Sequence, residues 1–335
     1  MIFETIGLIL FFVLSLFFIA IANSWIRIQK LNPKCRFGSD QFVTVKTYRL
    51  HYIKFGDGSP LLMLHDLIGS YRSWNMLLPK LSRHFKCIVP DIIGLGQSDK
   101  SRKFSYTIDA VADLMVEFML SRGFSSFDVI GAGFGGSLVF NMISRYQAYV
   151  RHAISIEGAV MPLQDAATHR DKILKGMLLP VLGPLFHIIV KSGIMAPFLV
   201  KSATESYASN LNSREKQLLI NEVAIAMFLT EHFSATHLYQ AHRKLSVSEN
   251  DLLEIKTPTL QLYGANSGYG EALTATRNHL KNVPSVTQWL VKGGRHELHW
   301  QHPDWIVNAI VDFIKEQGTF ANQEAGGLWE ITITR

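Results

Sequence analysis

Gly131-Ala132-Gly133-Phe134-Gly135-Gly136 decides how this 335-residue chain is read. The hexapeptide follows the apolar run Phe127–Ile130 and precedes residues 135–146, which read as a helix, so it marks a strand-to-helix turn. Its glycines let strand and helix approach closely and tolerate backbone angles closed to other residues. Outward from this turn the same alternation recurs. Phe42–Val45 and Leu50–Phe55 read as short strands closed by Gly56-Asp57-Gly58. Leu61–Leu64 is a continuous apolar run ending at His65, the signature of a strand buried on both faces. A helical stretch over 72–83, a strand at Cys87–Pro90, a helix over about 107–121 and a strand at Ala153–Ile156 complete the series. It pauses near residue 160 and resumes with Thr257–Tyr263, a strand ending at Leu290–Val291, and a helix over 303–316. Strands alternating with helices predict an α/β, doubly wound, mostly parallel sheet.

The interruption, 161–250, is mostly helical by pattern. Its apolar stretch Ile173–Val200 is broken by Pro180, Gly183, Pro184 and Pro197, and between Lys175 and Lys191 only 15 uncharged residues fit, too few for a membrane span. It reads as an inserted helical cap with its own core, or as a lid whose apolar face meets a greasy substrate or the membrane surface. The expected organisation is an N-terminal transmembrane anchor at 1–30, a core at 40–160 and 251–316, a cap at 161–250 and a tail at 317–335. In the tail Trp329, Ile331 and Ile333 alternate with polar residues, as in a short strand.

Composition agrees with one span and one large domain. The chain is 48% hydrophobic and 18% charged, with mean hydropathy +0.14. Residues 5–26 carry no charged side chain, and these 22 residues reach roughly 33 Å as a helix, enough to cross a bilayer once. Arg27, Lys30, Lys34 and Arg36 follow the apolar run and only Glu4 precedes it, which predicts a single-pass membrane protein with a cytoplasmic globular domain. A cleaved signal ending near Ala20-Ile21-Ala22 is the competing reading. Two cysteines exclude a disulfide scaffold and a cysteine zinc cluster. The charge outside the first 36 residues is nearly balanced, so nucleic acid is not an expected partner. Membrane lipid is one, through the anchor.

Four segments fall in order on these elements: His65-Asp66-Leu67-Ile68-Gly69-Ser70, Asp91-Ile92-Ile93-Gly94-Leu95-Gly96-Gln97-Ser98-Asp99, the Gly131–Gly136 turn, and Gly294-Arg295-His296 with Gln301-His302-Pro303. Together they resemble the α/β-hydrolase family over about residues 40–316, with a cap after the sixth strand. The resemblance implies a nucleophile at the tip of the turn, an oxyanion hole from the backbone N–H groups of Leu67 and Phe134, and His296 as general base. It implies no cofactor and no metal. The chain departs from the pattern at the chemistry. The nucleophile position is Gly133, and Ser137, one turn into the helix, should not reach the tip. Asp66 replaces the usual glycine after His65, putting a carboxylate near the oxyanion hole, where it opposes a developing oxyanion. The position of the usual acid is Ser267, and the Glu expected before the final helix is Gln301. Glu157, after the sixth strand, stands where the haloalkane dehalogenase branch carries its acid, and so pairs with His296 in one reading and is a structural strand-end residue in the other. His299 and His302 read as surface or helix-start residues.

Three functions follow. One is a degenerate hydrolase whose pocket binds an apolar small molecule, an acyl-type ligand or a protein partner. Another is a hydrolase or lyase using a His296–Glu157 dyad as general base. The third is an ordinary ester hydrolase, which requires that Gly133 not be the native residue.

Overall fold

In the computed structural model, residues 2–31, 37–162, 169–204, 212–267, 270–315 and 328–331 are described. The strands are β1 (Ser39–Val45), β2 (Tyr48–Phe55), β3 (Ser59–Leu64), β4 (Phe85–Pro90), β5 (Phe127–Ala132), β6 (Val150–Ile156), β7 (Thr259–Gly264), β8 (Val286–Val291) and β9 (Leu328–Ile331). They form one sheet in the order β1-β2-β4-β3-β5-β6-β7-β8-β9. The β1/β2 and β2/β4 pairs are antiparallel and the rest parallel. β9 extends the sheet beside β8; the remainder of the 317–335 tail lies outside the described residues.

Both faces of the sheet are covered, which is why β3 and β5 read as unbroken apolar runs. Leu62 and Leu64 belong to a core shared with α3 (Ile108–Ser121) and α4 (Phe134–Tyr146), and this core continues into the cap. Leu61 and Met63 point the other way, into a core with α2 (Leu78–Leu81) and α13 (Pro303–Lys315). The helix expected over 72–83 is instead a 3-10 turn at Tyr71–Trp74 followed by the short α2. Pro79 explains the break: it has no N–H to give a running helix and is tolerated only in a first turn, where it sits.

The cap comprises α5 (His169–Met177), α6 (Leu182–Lys191), α7 (Ala196–Thr204), α8 (Ser213–Leu229) and α9 (His232–Arg243). α8 starts at a reciprocal capping box between Asn212 and Glu215. Among the described residues, polar contacts fasten the cap to the core. Arg72 Nη1 meets Glu222 Oε2 at 2.7 Å, Ser234 Oγ donates to the Gly94 carbonyl at 2.6 Å, and Ser137 Oγ lies 2.9 Å from His242 Nε2. Short helices α10 (Glu249–Leu253), α11 (Gly270–Leu280) and α12 (Leu298–Gln301) complete the chain.

The N-terminal segment is a helix, α1 (Ile2–Lys30). Its described contacts run to the cap: Ser24 Oγ donates to the Ser192 carbonyl at 2.7 Å, and the rings of Trp25 and Phe228 meet edge to face at 6.1 Å. Ile28 is buried beside Gly193 and Ala224. Among the described residues no single helix is long and apolar enough to cross a membrane; the bent pair α8–α9 passes by length and composition only.

Candidate active site

The Gly131–Gly136 turn joins β5 to α4, and Gly133 takes φ 53° and ψ −115°, a left-handed conformation that favours glycine. Close approach explains the flanking glycines: a Cβ on Gly131 would overlap the Gly135 carbonyl, and one on Gly135 would overlap that of Leu64. The tip is not empty. A Cβ on Gly133 would lie 2.5 Å from each carboxylate oxygen of Asp66, well inside van der Waals contact. The Asp66 carboxylate thus fills the volume an elbow side chain would use.

Asp66 Oδ1 accepts the backbone N–H groups of Leu67 and Phe134, each at 2.7 Å. These are the two donors expected to form the oxyanion hole, at the distance such donors keep from an oxyanion. The sequence placed a carboxylate near the hole; the structure puts it inside. Asp66 Oδ2 lies 3.0 Å from His296 Nε2. On the far side of the ring His296 Nδ1 is 3.6 Å from Glu157 Oε2. Glu157 in turn accepts the Gly264 backbone N–H and the Ser267 hydroxyl. Ser267, at the usual acid's position, therefore braces the acid that comes from β6.

Residues flanking the site, most of them within the motifs quoted above, hold this arrangement. The Ile92 N–H donates to His65 Nε2 at 3.0 Å, so the His65 proton sits on Nδ1, which donates to the Asp66 carbonyl at 2.8 Å. Gln301 Oε1 accepts the Arg295 N–H at 2.8 Å and steadies the loop carrying His296. Glu297 is buried beside His296 and adds a third carboxylate to its field. Charge spacing alone gave no reason to pick Glu297. His299 is not a surface residue: it is buried, stacked on Trp74 at 5.2 Å, with Nε2 3.7 Å from Glu297. His302, at the end of α12, is where α13 begins. Ser137 is fully buried and accepts the Ala159 N–H at 2.9 Å while facing His242, so its hydroxyl serves the joint between core and cap.

Burial disfavours a charged His296, but its hydrogen bond to Asp66 and the facing Glu157 outweigh that, with the fields of Glu297 and Asp66 adding, and the pKa is raised to about 10. At neutral pH the ring is an imidazolium between carboxylates. Asp66, His296 and Glu297 each bring a ligand atom within 4.8 Å of the others. A metal would need His296 neutral, and the carboxylates around it favour the proton. Two non-glycine residues of the site, Ile68 (φ 52°) and Glu157 (φ 57°), also have left-handed backbones. A β-branched residue in that region is uncommon and strained, and such positions cluster at functional sites.

Fold and site together define a hydrolase-type architecture. Residues 59–303 match the alpha/beta hydrolase fold family, and the chain belongs to it. It is 22% identical over 280 residues to a putative esterase/lipase of Haemophilus influenzae, covering 80% of this chain and 88% of that one. It is 34% identical over 96 residues to a soluble epoxide hydrolase of a Corynebacterium species, covering 29% of this chain and 33% of that one. Among solved structures it superposes on a meta-cleavage product hydrolase from Pseudomonas fluorescens with TM-score 0.67 at 17% identity, over 83% of this chain and 98% of that one. A membrane phospholipase A superposes with TM-score 0.64 at 18% identity, over 94% and 99%. These superpositions are likenesses of fold.

Proposed function

We propose that this protein is a membrane-tethered α/β-hydrolase-fold protein that has lost acyl transfer by a serine nucleophile and binds an apolar ligand between core and cap. One observation carries the reading: the Asp66 carboxylate stands where both the elbow side chain and the acyl oxygen of an ester would have to be. An anion already held by two N–H groups excludes a second one. The competing reading, His296 and Glu157 acting directly as a general base, needs a neutral imidazole, and a pKa of about 10 keeps the ring protonated at neutral pH. An ordinary esterase with an altered Gly133 is disfavoured because Gly133 and Asp66 fit each other.

The place for the ligand is the seam between core and cap, where Ile68, Arg72 and Trp300 face Leu219, Glu222 and Val223 across a gap of about 10 Å³, so a ligand larger than one water enters only when the cap parts from the core. The names of the relatives, an esterase/lipase and an epoxide hydrolase, are in keeping with such a ligand. Tethering is supported by α1, which leaves Phe11, Phe12, Leu16 and Phe18 exposed and has Arg27 and Lys30 in its last turn. Purified full-length protein is expected to leave p-nitrophenyl butyrate and laurate unhydrolysed. Turnover that disappears in His296→Ala would overturn the reading. Release of the protein from membranes by alkaline carbonate would overturn the tether.

A further inference from the structure

We propose that the outer face of the cap, formed by α6 and the segments on either side of it, docks on an anionic lipid bilayer. This deepens the tether proposed above and rests on it for the position of the bilayer. Large apolar side chains are exposed in two stretches. One is α1, and the other is the cap segment 179–198, with Val181, Leu182, Leu185, Ile188, Ile194 and Phe198. Elsewhere among the described residues Phe42, Leu120 and Leu253 are exposed singly. Single exposed apolar side chains are ordinary, whereas a concentration of them marks an interaction surface.

The pattern along α6 is that of a helix with apolar surroundings on both sides. Gly183, His187 and Val190 face inward and are buried. Leu182, Leu185 and Ile188 follow one another at a spacing of three and are exposed. The helix has no Asp, Glu or Arg, and its single Lys is its last residue. A helix apolar nearly all round belongs in a core or a lipid phase, and the outer side of α6 is in no core. Val181, just before it, adds a second sign. Its φ of 62° puts a β-branched residue in the left-handed region, where surrounding contacts must hold it. At 83% exposure, the protein supplies few of those contacts.

Position and charge both choose a bilayer as the partner. α1 packs on the cap through Ser24, Trp25 and Ile28, beside Ser192 and Gly193 at the end of α6. A bilayer holding the helix ahead of Ile21, roughly 28 Å of it, therefore adjoins this part of the cap. At the junction Asn23, Ser24 and Arg27 of α1 and Ile194 and Pro197 of the cap bound an open groove of about 320 Å³. Its apolar wall and its guanidinium suit an acyl chain and an anionic headgroup. Residues 172–204 contain Lys172, Lys175, Lys191 and Lys201 and no Asp or Glu, and Arg27 and Lys30 lie in the last turn of α1. Lys191 is paired with Glu231 at 3.0 Å. The segment still carries an excess of positive charge, which an anionic lipid surface attracts.

The test uses full-length protein carrying Cys35→Ser, the other cysteine, Cys87, being buried. Leu182→Cys, Leu185→Cys and Leu120→Cys are each labelled with bimane and reconstituted into vesicles of phosphatidylcholine and phosphatidylglycerol with brominated acyl chains. Leu120 is the control: it lies in the last turn of α3, ahead of β5, on the sheet edge opposite the cap. Bromine is expected to quench the bimane at 182 and 185 and to spare it at 120, with weaker quenching in phosphatidylcholine alone. Full emission at 182 and 185, or equal quenching at 120, would overturn the docking face. Quenching that follows protein density and not bromine would put a second copy of the chain there and overturn it too. Equal quenching without phosphatidylglycerol would overturn the anionic preference. Val181→Asp with Leu185→Asp is expected to abolish quenching at 182 and leave the unfolding midpoint in detergent unchanged. A lowered midpoint would assign these side chains to packing within the cap and sink the proposal. Carbonate extraction judges the tether separately. A tether that holds while 182 and 185 stay bright removes the docking face alone, and release with quenching retained removes the tether alone.

Discussion

Two histidines in this molecule each stand between two acids, and they are used differently. His51 has Asp91 Oδ2 at 2.8 Å from Nδ1 and Asp40 Oδ1 at 3.0 Å from Nε2. His296 has Asp66 at 3.0 Å and Glu157 at 3.6 Å. The His51–Asp91 pair is wholly buried, and Asp91 also accepts the N–H groups of Tyr71 and Gln97, at 2.7 and 2.8 Å. It ties β2, the end of β4 and the turn before α2 into one joint, with neither residue in a left-handed conformation. Burial opposes the charge on both partners, yet hydrogen bonding between them raises the pKa of His51 and lowers that of Asp91. The His296 row is looser toward Glu157, open at one end and bordered by strained backbone at Ile68 and Glu157. The same side chains make a staple where the His51–Asp91 pair is wholly buried, and a looser row where the Asp66–His296 end keeps some exposure.

Breaking the staple should cost most. Asp91→Ala leaves a buried imidazole and two backbone donors unmatched, and is expected to lower unfolding free energy by about 3–5 kcal/mol in urea titrations. Next is Gly133→Ser, whose side chain overlaps the Asp66 carboxylate; overpacking of this kind costs about 1–3 kcal/mol. Adding Asp66→Gly should restore most of that stability and give p-nitrophenyl ester hydrolysis that neither single change gives. A double variant no more stable than Gly133→Ser would show that the two positions do not share one volume. Asp66→Asn keeps an acceptor for both N–H groups, so a loss of only about 1 kcal/mol is expected, together with a fall in the His296 pKa read by imidazole NMR.

The pH effect is the smallest near neutrality and grows above it. His296 has a folded pKa raised from 6.5 to about 10, so its contribution is complete below pH 6.5 and is lost as pH rises through about 10. His51, also raised, acts with the same sign. Denaturation midpoints should fall from pH 7 to 10, less steeply in His296→Gln. An unchanged slope in that variant would remove His296 as the cause.

The fold was legible because glycines and buried strands leave marks along the chain. The Gly131–Gly136 turn requires its glycines for reasons of approach that hold whatever else the protein does. Glu157 and His296 were legible as members of one site because each follows a strand of the parallel sheet, and such ends converge on one edge. The direction of Asp66 was not. Whether its side chain leaves the hole or enters it depends on the volume vacated at Gly133, 67 positions away, and on the grip of His65 on its carbonyl. His299 looked like a surface residue because the ring that covers it, Trp74, comes from the far side of the sequence. The helix over 72–83 failed for a local reason, Pro79, that the apolar spacing concealed.

The attachment of α1 has a mechanical consequence. Its described fastenings, Ser24 to Ser192, Trp25 to Phe228 and Ile28 beside Gly193, are all to the cap. Where a cap is a loose flap, the core is the fixed frame and the flap swings. Here α1 is fastened to the cap, so cap and N-terminal helix act as one body, and the core meets that body across the Arg72–Glu222 ion pair.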